Sequence, residues 1–235
     1  MKFFKRFNKI DSNYIYTDKH IHSNWVDGEA GISQIIAVAE RIKGLKQIAF
    51  TEHVRRESRF VNKYLREIKK FKKGSSIEVL SGLEARIANF QGDIDVAADM
   101  LQNANIRIAS VHRFSLGRVL HDPKEFTKEL CAEIELELSI AAIKGEVCNV
   151  LGHAGGMSLQ IYKEFPIGFF EEIISECVRH NIVFELNYRY HRSIFNCLKP
   201  LLKKYNPYVS IGSDAHTTQE LGSWVGILTG ELARA

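Results

Sequence analysis

Seven short apolar runs, each closing on a side chain able to bind a metal ion, restrict this chain more than any other feature. They occupy residues 14–21, 47–51, 77–83, 106–111, 147–152, 182–186 and 208–212, and their length and Val, Ile and Phe content suit buried strands. Between them run stretches with apolar residues at helical spacing: "ISQIIAVAERIKG" ended by Gly44, "SRFVNKYLREIKKFKKG" ended by Gly74, and "DPKEFTKELCAEIELELSIAAIKG" opened by Asp122 and Pro123 and ended by Gly145. Two later helices are expected from about Pro166 to His180 and from about Arg192 to Tyr205. Strands alternating with helices predict an α/β fold with a parallel sheet and helices outside. No run reads as a sheet edge, so a closed or nearly closed barrel is expected. No Pro/Gly-rich linker or composition shift divides the chain, and residues 1–235 are read as one domain.

In such a barrel, functional groups gather at the C-terminal ends of the strands. Those ends carry His20 and His22 in "TDKHIH", His53 in "TEH", Glu84 in "GLEAR", His112 in "SVHR", His153 in "LGH", Glu185 and Asn187 in "FELN", and Asp214 and His216 in "GSDAH". Taken alone, His20 and His22 read either as two polar residues at a strand end or as a ligand pair, since residues two apart on a strand face the same side. Set beside the other ends, six of the nine histidines fall at one face. Imidazoles and carboxylates crowded together need cations to offset them, and four ligands saturate a tetrahedral ion. Two or three divalent ions are therefore implied, with Glu84 able to bridge. Asp27, on the loop leaving the first strand, precedes Gly28, which permits a tight turn, and is read as a further ligand rather than a capping residue.

The net charge of +4 and pI near 8.8 suit an anionic substrate and fall short of a dedicated nucleic-acid binder. The basic segment "NKYLREIKKFKKG" is read as a solvated helix face, having no aromatic stacking platform beside it. The chain holds no G-x-x-x-x-G-K-[ST] loop, no G-x-S-x-G elbow and no G-x-G-x-x-G after a strand. Cys131, Cys148, Cys177 and Cys197 lie apart, without a C-x-x-C pair, and are read as buried reduced thiols of a cytoplasmic protein. The basic N-terminus "MKFFKRFNKI" lacks the apolar core of a secretory signal, and no stretch is long and apolar enough for a membrane span.

The ordered segments "DKHIHSNWVDG", "TEH", "GLEARIANFQGDID", "SVHR", "LGHAGG", "FELN" and "GSDAHT" resemble the PHP (polymerase and histidinol phosphatase) superfamily, over about Asp18 to Thr217. The third and last are more similar to the stand-alone phosphoesterases and histidinol phosphatases than to polymerase-fused domains. The resemblance implies a distorted (β/α)₇ TIM-like barrel with a trinuclear site. Carried over by position, His20, His22, Glu84 and Asp214 hold the first ion, Glu84, His112 and His153 the second, and Asp27, His53 and His216 the third. The ions in relatives are zinc, manganese or iron, and mixed N/O ligation suits all three. Two positions depart from the family pattern: Glu52 stands in "TEH" for the usual Asp, and Ala154 in "HAGG" for the usual Pro. Neither removes a ligand. Glu52 is expected to change the support behind His53, and Asp18 to orient one of the first strand's imidazoles.

What the resemblance implies chemically is hydrolysis of a small phosphate monoester, of the histidinol-phosphatase type, by in-line attack of a metal-bridging hydroxide. Glu84, Asp214 and Arg113 are the expected catalytic residues. Arg86, Arg113, Arg189 and Arg192 all follow strand ends and are candidates for gripping the anion, Arg113 foremost; the alternative for each is a surface arginine. Two other readings compete. One is a PHP phosphodiesterase or exonuclease acting on nucleotides or oligonucleotides, and the other a non-catalytic metal-binding module, whose mark would be lost ligands. His180 is explained by the dipole of the helix it ends; His121 and His191 have no assigned role. The final segment "QELGSWVGILTGELARA" has room for one helix packing Trp224 and Leu228 on the barrel.

Overall fold

The computed structural model describes residues 1–117 and 119–232. Its strands are β1 Lys5–Arg6, β2 Thr17–Ile21, β3 Gln47–Val54, β4 Glu78–Arg86, β5 Ile106–Ser110, β6 Phe114–Leu116, β7 Val119–His121, β8 Val150–Leu151, β9 Val183–Asn187 and β10 Tyr208–Gly212. Its helices are α1 Ile32–Ala39, α2 Val61–Lys72, α3 Ala98–Leu101, α4 Lys128–Gly145, α5 Gly156–Tyr162, α6 Ile167–Arg179, α7 Tyr188–His191, α8 Phe195–Tyr205 and α9 Trp224–Leu232. No described helix is long and apolar enough to cross a membrane.

The main sheet runs β1-β10-β9-β8-β5-β4-β3-β2, with all neighbours parallel except β1, which lies antiparallel on β10. The seven expected parallel strands are all present, but no continuous ladder closes the ring. The ends of β2 and β10 meet only at the C-terminal face, through the bridge Ile21↔Ala215 and the bonds His22 N to Ala215 O (2.8 Å) and Asp214 N to His20 O (2.9 Å). At the other face Tyr208 and Val209 pair with β1, and the Tyr14 hydroxyl donates to Val209 O, so the edge of β10 is occupied where β2 would join it. The barrel is thus pulled together at one end and wedged open at the other.

Alternation along the strands decides what faces inward. At the wedged end Phe4 packs with Ala49, Leu80, Ile106, Ile108, Val150 and Val183, so the N-terminal aromatics serve as a plug. Two and four residues further along the same faces come Thr51 and His53, Gly82 and Glu84, and Glu185 and Asn187. Gly212 belongs to this inner ring by necessity: a Cβ there would lie 2.5 Å from His20 Cβ and 2.6 Å from Glu185 Oε1. The larger apolar cluster fills the space between sheet and helices, and α9 joins it through buried Trp224 and Leu228, as the sequence predicts.

The chain departs from the sequence reading in several elements. The first strand starts at Thr17, because residues 11–15 form turns around the Asp11 carboxylate, which accepts from Asn13 N and Tyr14 N. Asp122 and Pro123 open a single 3₁₀ turn, and α4 begins only after Thr127, whose hydroxyl accepts from Leu130 N. Three of the cysteines are buried, but Cys197 is exposed, correcting the expectation of four buried thiols.

Candidate metal centre

Every strand-end ligand expected from the sequence arrives at one cluster. Glu84, fully buried at the end of β4, sits at its middle. Its Oε2 lies 2.9 Å from His53 Nδ1, 3.3 Å from His20 Nε2 and 3.5 Å from His22 Nε2; its Oε1 lies 3.1 Å from His153 Nε2 and 3.5 Å from His112 Nε2. Asp214 Oδ1 approaches His22 Nε2 at 3.4 Å, and Asp27 Oδ2 approaches His53 Nε2 at 3.4 Å and His216 Nε2 at 3.5 Å. Three groups bring their donor atoms within 4.8 Å of one another: His20, His22 and Asp214; His53, Glu84 and His112; and His22, Asp27, His53 and His216.

The local backbone is bent to serve this geometry. Asp214 (φ +60°) and His153 (φ +22°) both lie in the left-handed region that non-glycine residues seldom enter. Asp214 is held there by its N–H to His20 O. His153 is fixed by its N–H to Glu185 Oε2 (2.6 Å), and the turn after it by buried Glu135 of α4, which accepts from Met157 N, Ser158 N and the Ser158 hydroxyl.

Burial and the carboxylates pull the imidazoles apart in basicity. Burial lowers His22 to about 4 and, with the charge on His153 and His53 adding to it, His112 to about 3. Burial opposes protonation of His53 as well, but Glu84 and Asp27 outweigh it and lift that ring to about 10. In His20 the same contest is won by Glu185, Glu84 and Asp214, and the ring is raised. Glu84 and Asp214 stay ionised against their burial because the surrounding imidazoles lower both.

Buried donor and acceptor atoms without a hydrogen-bond partner show that the protein alone does not satisfy this set. Among them are His22 Nδ1 and His153 Nδ1, and the Nε2 atoms of His20 and His22 face each other at 3.1 Å. Cations between these lone pairs would supply what is missing, and the mixed N/O donors suit zinc, manganese or iron.

A model of the PHP domain matches residues 18–189. This chain belongs to the PHP domain family. Named relatives of this PHP chain include a protein called "Probable phosphatase" from Caldicellulosiruptor bescii, 28% identical over 221 residues that cover 89% of this chain and 83% of the relative. "Probable phosphatase YcdX" of Escherichia coli is 26% identical over 221 residues, covering 88% and 81%. In fold this chain is similar to the histidinol phosphate phosphatase of Lactococcus lactis, a structure with zinc, L-histidinol and phosphate, at TM-score 0.71 and 20% identity over 93% of this chain and 92% of that one. Its enzyme class is that of the metal-dependent PHP phosphoesterases.

Beyond the ligands, the PHP site is arranged differently from the sequence reading. Among the described residues Asp18 hydrogen-bonds no imidazole: its two oxygens accept from Ser213 N and Gly222 N, both at 2.8 Å, and so anchor the loop bearing Asp214. The residue that orients a first-strand imidazole is Glu185, whose Oε1 accepts a hydrogen bond from His20 Nδ1 at 2.6 Å. Asn187 donates to both Glu185 Oε2 (3.2 Å) and Asp214 Oδ2 (3.3 Å). The strand-end position of "FELN" was the available signal for both residues. Glu52 is buried behind the first strand's loop, accepting from Ser23 N, and burial raises it to about 7.

Of the four arginines, the structure brings Arg189 to the cluster: its Nη2 donates to Asp214 O at 2.9 Å and lies 3.1 Å from His216 Nδ1. Arg113 is half-exposed and bound to Asp122 at 2.7 Å, Arg86 is bound to Asp95 and Ser115, and Arg192 lies over the Tyr188 ring. His191, unassigned from sequence, ties two loops together by accepting from Asn187 N and donating to Ala154 O.

Proposed function

We propose that this PHP chain is a phosphomonoesterase whose metal site is of the histidinol-phosphatase type, working with two or three divalent ions. The observation that carries the reading is one buried carboxylate, Glu84, with five imidazoles within 3.5 Å of it. His20, His22, Glu84 and Asp214 would hold one ion, Glu84, His112 and His153 a second, and Asp27, His53 and His216 a third. Such ions supply a nucleophile at neutral pH and neutralise charge on the phosphoryl group.

The chain's own residues do the rest. Glu185 fixes the His20 tautomer so that Nε2 presents its lone pair to the cluster, and Asn187 holds Glu185 and Asp214 in one hydrogen-bonded unit. Arg189, charged and fixed beside His216, is placed to receive phosphoryl oxygens. Glu84 and Asp214 act by keeping their negative charge where the cations are needed. Support comes also from the L. lactis neighbour, whose complex contains zinc and phosphate.

The test is a turnover panel with zinc- or manganese-loaded protein: p-nitrophenyl phosphate, L-histidinol phosphate and nucleoside monophosphates against bis(p-nitrophenyl) phosphate and short single strands. Phosphate release from monoesters is expected. Turnover confined to diesters would replace this reading with a phosphodiesterase or exonuclease.

A further inference from the structure

We propose that a cleft beside the metal cluster is a leaving-group subsite selecting small phosphate monoesters that carry a second anionic group. The inference rests on the phosphomonoesterase reading and adds the substrate class. The cleft, about 270 Å³, is lined by Leu159, Gln160, Lys163, Arg189, Tyr190 and Ser193, where α5 packs against α7. Two of these walls are shared with the cluster. The Tyr190 ring lies 4.9 Å from the His153 ring, and Arg189 reaches Asp214 O and His216 Nδ1. A phosphoryl group at the cluster would therefore direct its leaving group into this cleft.

The lining has two cations and no carboxylate. Lys163 adopts a left-handed backbone (φ +60°), and its Nζ donates to the neutral Gln160 carbonyl at 2.8 Å; it forms no ion pair among the described residues. Arg189 is ion-paired through Nη2 with Glu220 at 3.2 Å and through Nε with Asp214 Oδ2 at 4.0 Å, and its Nη1 makes no described contact, so Lys163 is the cation of the lining without a carboxylate partner among the described residues. Tyr190 offers a flat ring face and Leu159 a buried apolar wall, while Gln160 and Ser193 bring polar groups. A carboxylate or second phosphate entering here gains charge-assisted hydrogen bonds. An ammonium-bearing leaving group such as L-histidinol meets the like charge of Lys163, with no acid in the lining itself to pair it. The volume accommodates a small organic group and not an oligonucleotide.

The experiment compares kcat/KM of the metal-loaded protein for 3-phosphoglycerate, propane-1,3-diol bisphosphate, glycerol 3-phosphate and L-histidinol phosphate, compounds whose leaving alcohols carry a carboxylate, a phosphate, no charge and an ammonium group. The first two are expected to exceed glycerol 3-phosphate by about tenfold, the worth of one charge-assisted hydrogen bond, with L-histidinol phosphate lowest; the order of the first two separates carboxylate from phosphate as the second anion. Lys163→Glu, at an exposed position, should reverse the ranking of anionic and cationic substrates, and Lys163→Arg should keep it. L-Histidinol phosphate turned over as well as the anionic substrates overturns the proposal, as does a ranking unmoved by Lys163→Glu. No turnover of p-nitrophenyl phosphate or any panel member overturns the monoesterase reading and this inference with it.

Discussion

Glu84 and Glu185 are two buried carboxylates one strand system apart, and they should fail differently. Glu84→Gln removes the charge that five imidazoles surround, so metal analysis should show about one ion or more lost per chain and turnover near the buffer rate. Glu185→Gln keeps every ligand and weakens the hold on His20 together with the Oε2 contacts to His153 N and Asn187, for which metal affinity about 10–100-fold lower is expected. Equal affinity in the Glu185 variant would show that His20 needs no such support. Lys19 is a third buried charge, with its Nζ bonded to Thr17 Oγ1 at 2.6 Å and 4.1 Å above the Tyr14 ring. Burial pulls its ammonium from 10.5 down to about 7. Between those values the unfolded chain binds the extra proton, so the fold gains stability as pH rises through that window and carries the full burial penalty below it. Lys19→Met should raise stability at pH 6 by about 1–3 kcal/mol and flatten the rise from pH 7 to 10. Urea melts at pH 6 and 9 with parallel shifts in both proteins would count against it.

α2, α6 and the long strands follow local periodicity closely, whereas α1 stops at Ala39 instead of running to Gly44, α4 starts only at Lys128, and the short elements follow none. α6 lies within a residue or so of its expected span because Pro166 stands immediately before it and its apolar face repeats at helical spacing. The β6–β7 hairpin and α5 are too short for any periodicity to announce them; α5 is held at its N-terminus by Glu135 from another helix. Element placement also decides thiol chemistry. Cys197 is exposed on α8, while Cys131, Cys148 and Cys177 are buried, and burial pushes Cys148 up to about 12. Ellman's reagent should therefore titrate one thiol per chain in native protein and four in denaturant. A second fast native thiol would contradict the burial of the other three.

For the molecule as a whole, the cluster links metal binding to stability. It gathers Glu84, Asp214, Asp27 and the imidazoles of six strand-end histidines from both edges of an incompletely closed sheet. An ion held at a hundred times its dissociation constant stabilises by about 2.7 kcal/mol, which for a chain of this size corresponds to roughly 5–10 °C in melting temperature. Chelation with dipicolinate should lower the melting temperature by about that amount and abolish turnover, and zinc or manganese should restore both. A melting temperature indifferent to chelator and metal would mean that the ends of β2 and β10 are held by their backbone bonds alone.

Seven parallel strands, their order of ligand residues and the family were legible in the sequence by itself, because each depends on patterns local in the chain: alternation along a strand, helical spacing, and a polar residue where a buried run stops. The plug of Phe4, the gap between β2 and β10, the hold of Glu185 on His20 and the approach of Arg189, not Arg113, to the cluster were decided only in the tertiary structure. His20 and Glu185 are 165 residues apart. No spacing rule spans that separation, so it is the packing of the inner ring, with Gly212 leaving room between them, that brings carboxylate and imidazole to hydrogen-bonding distance.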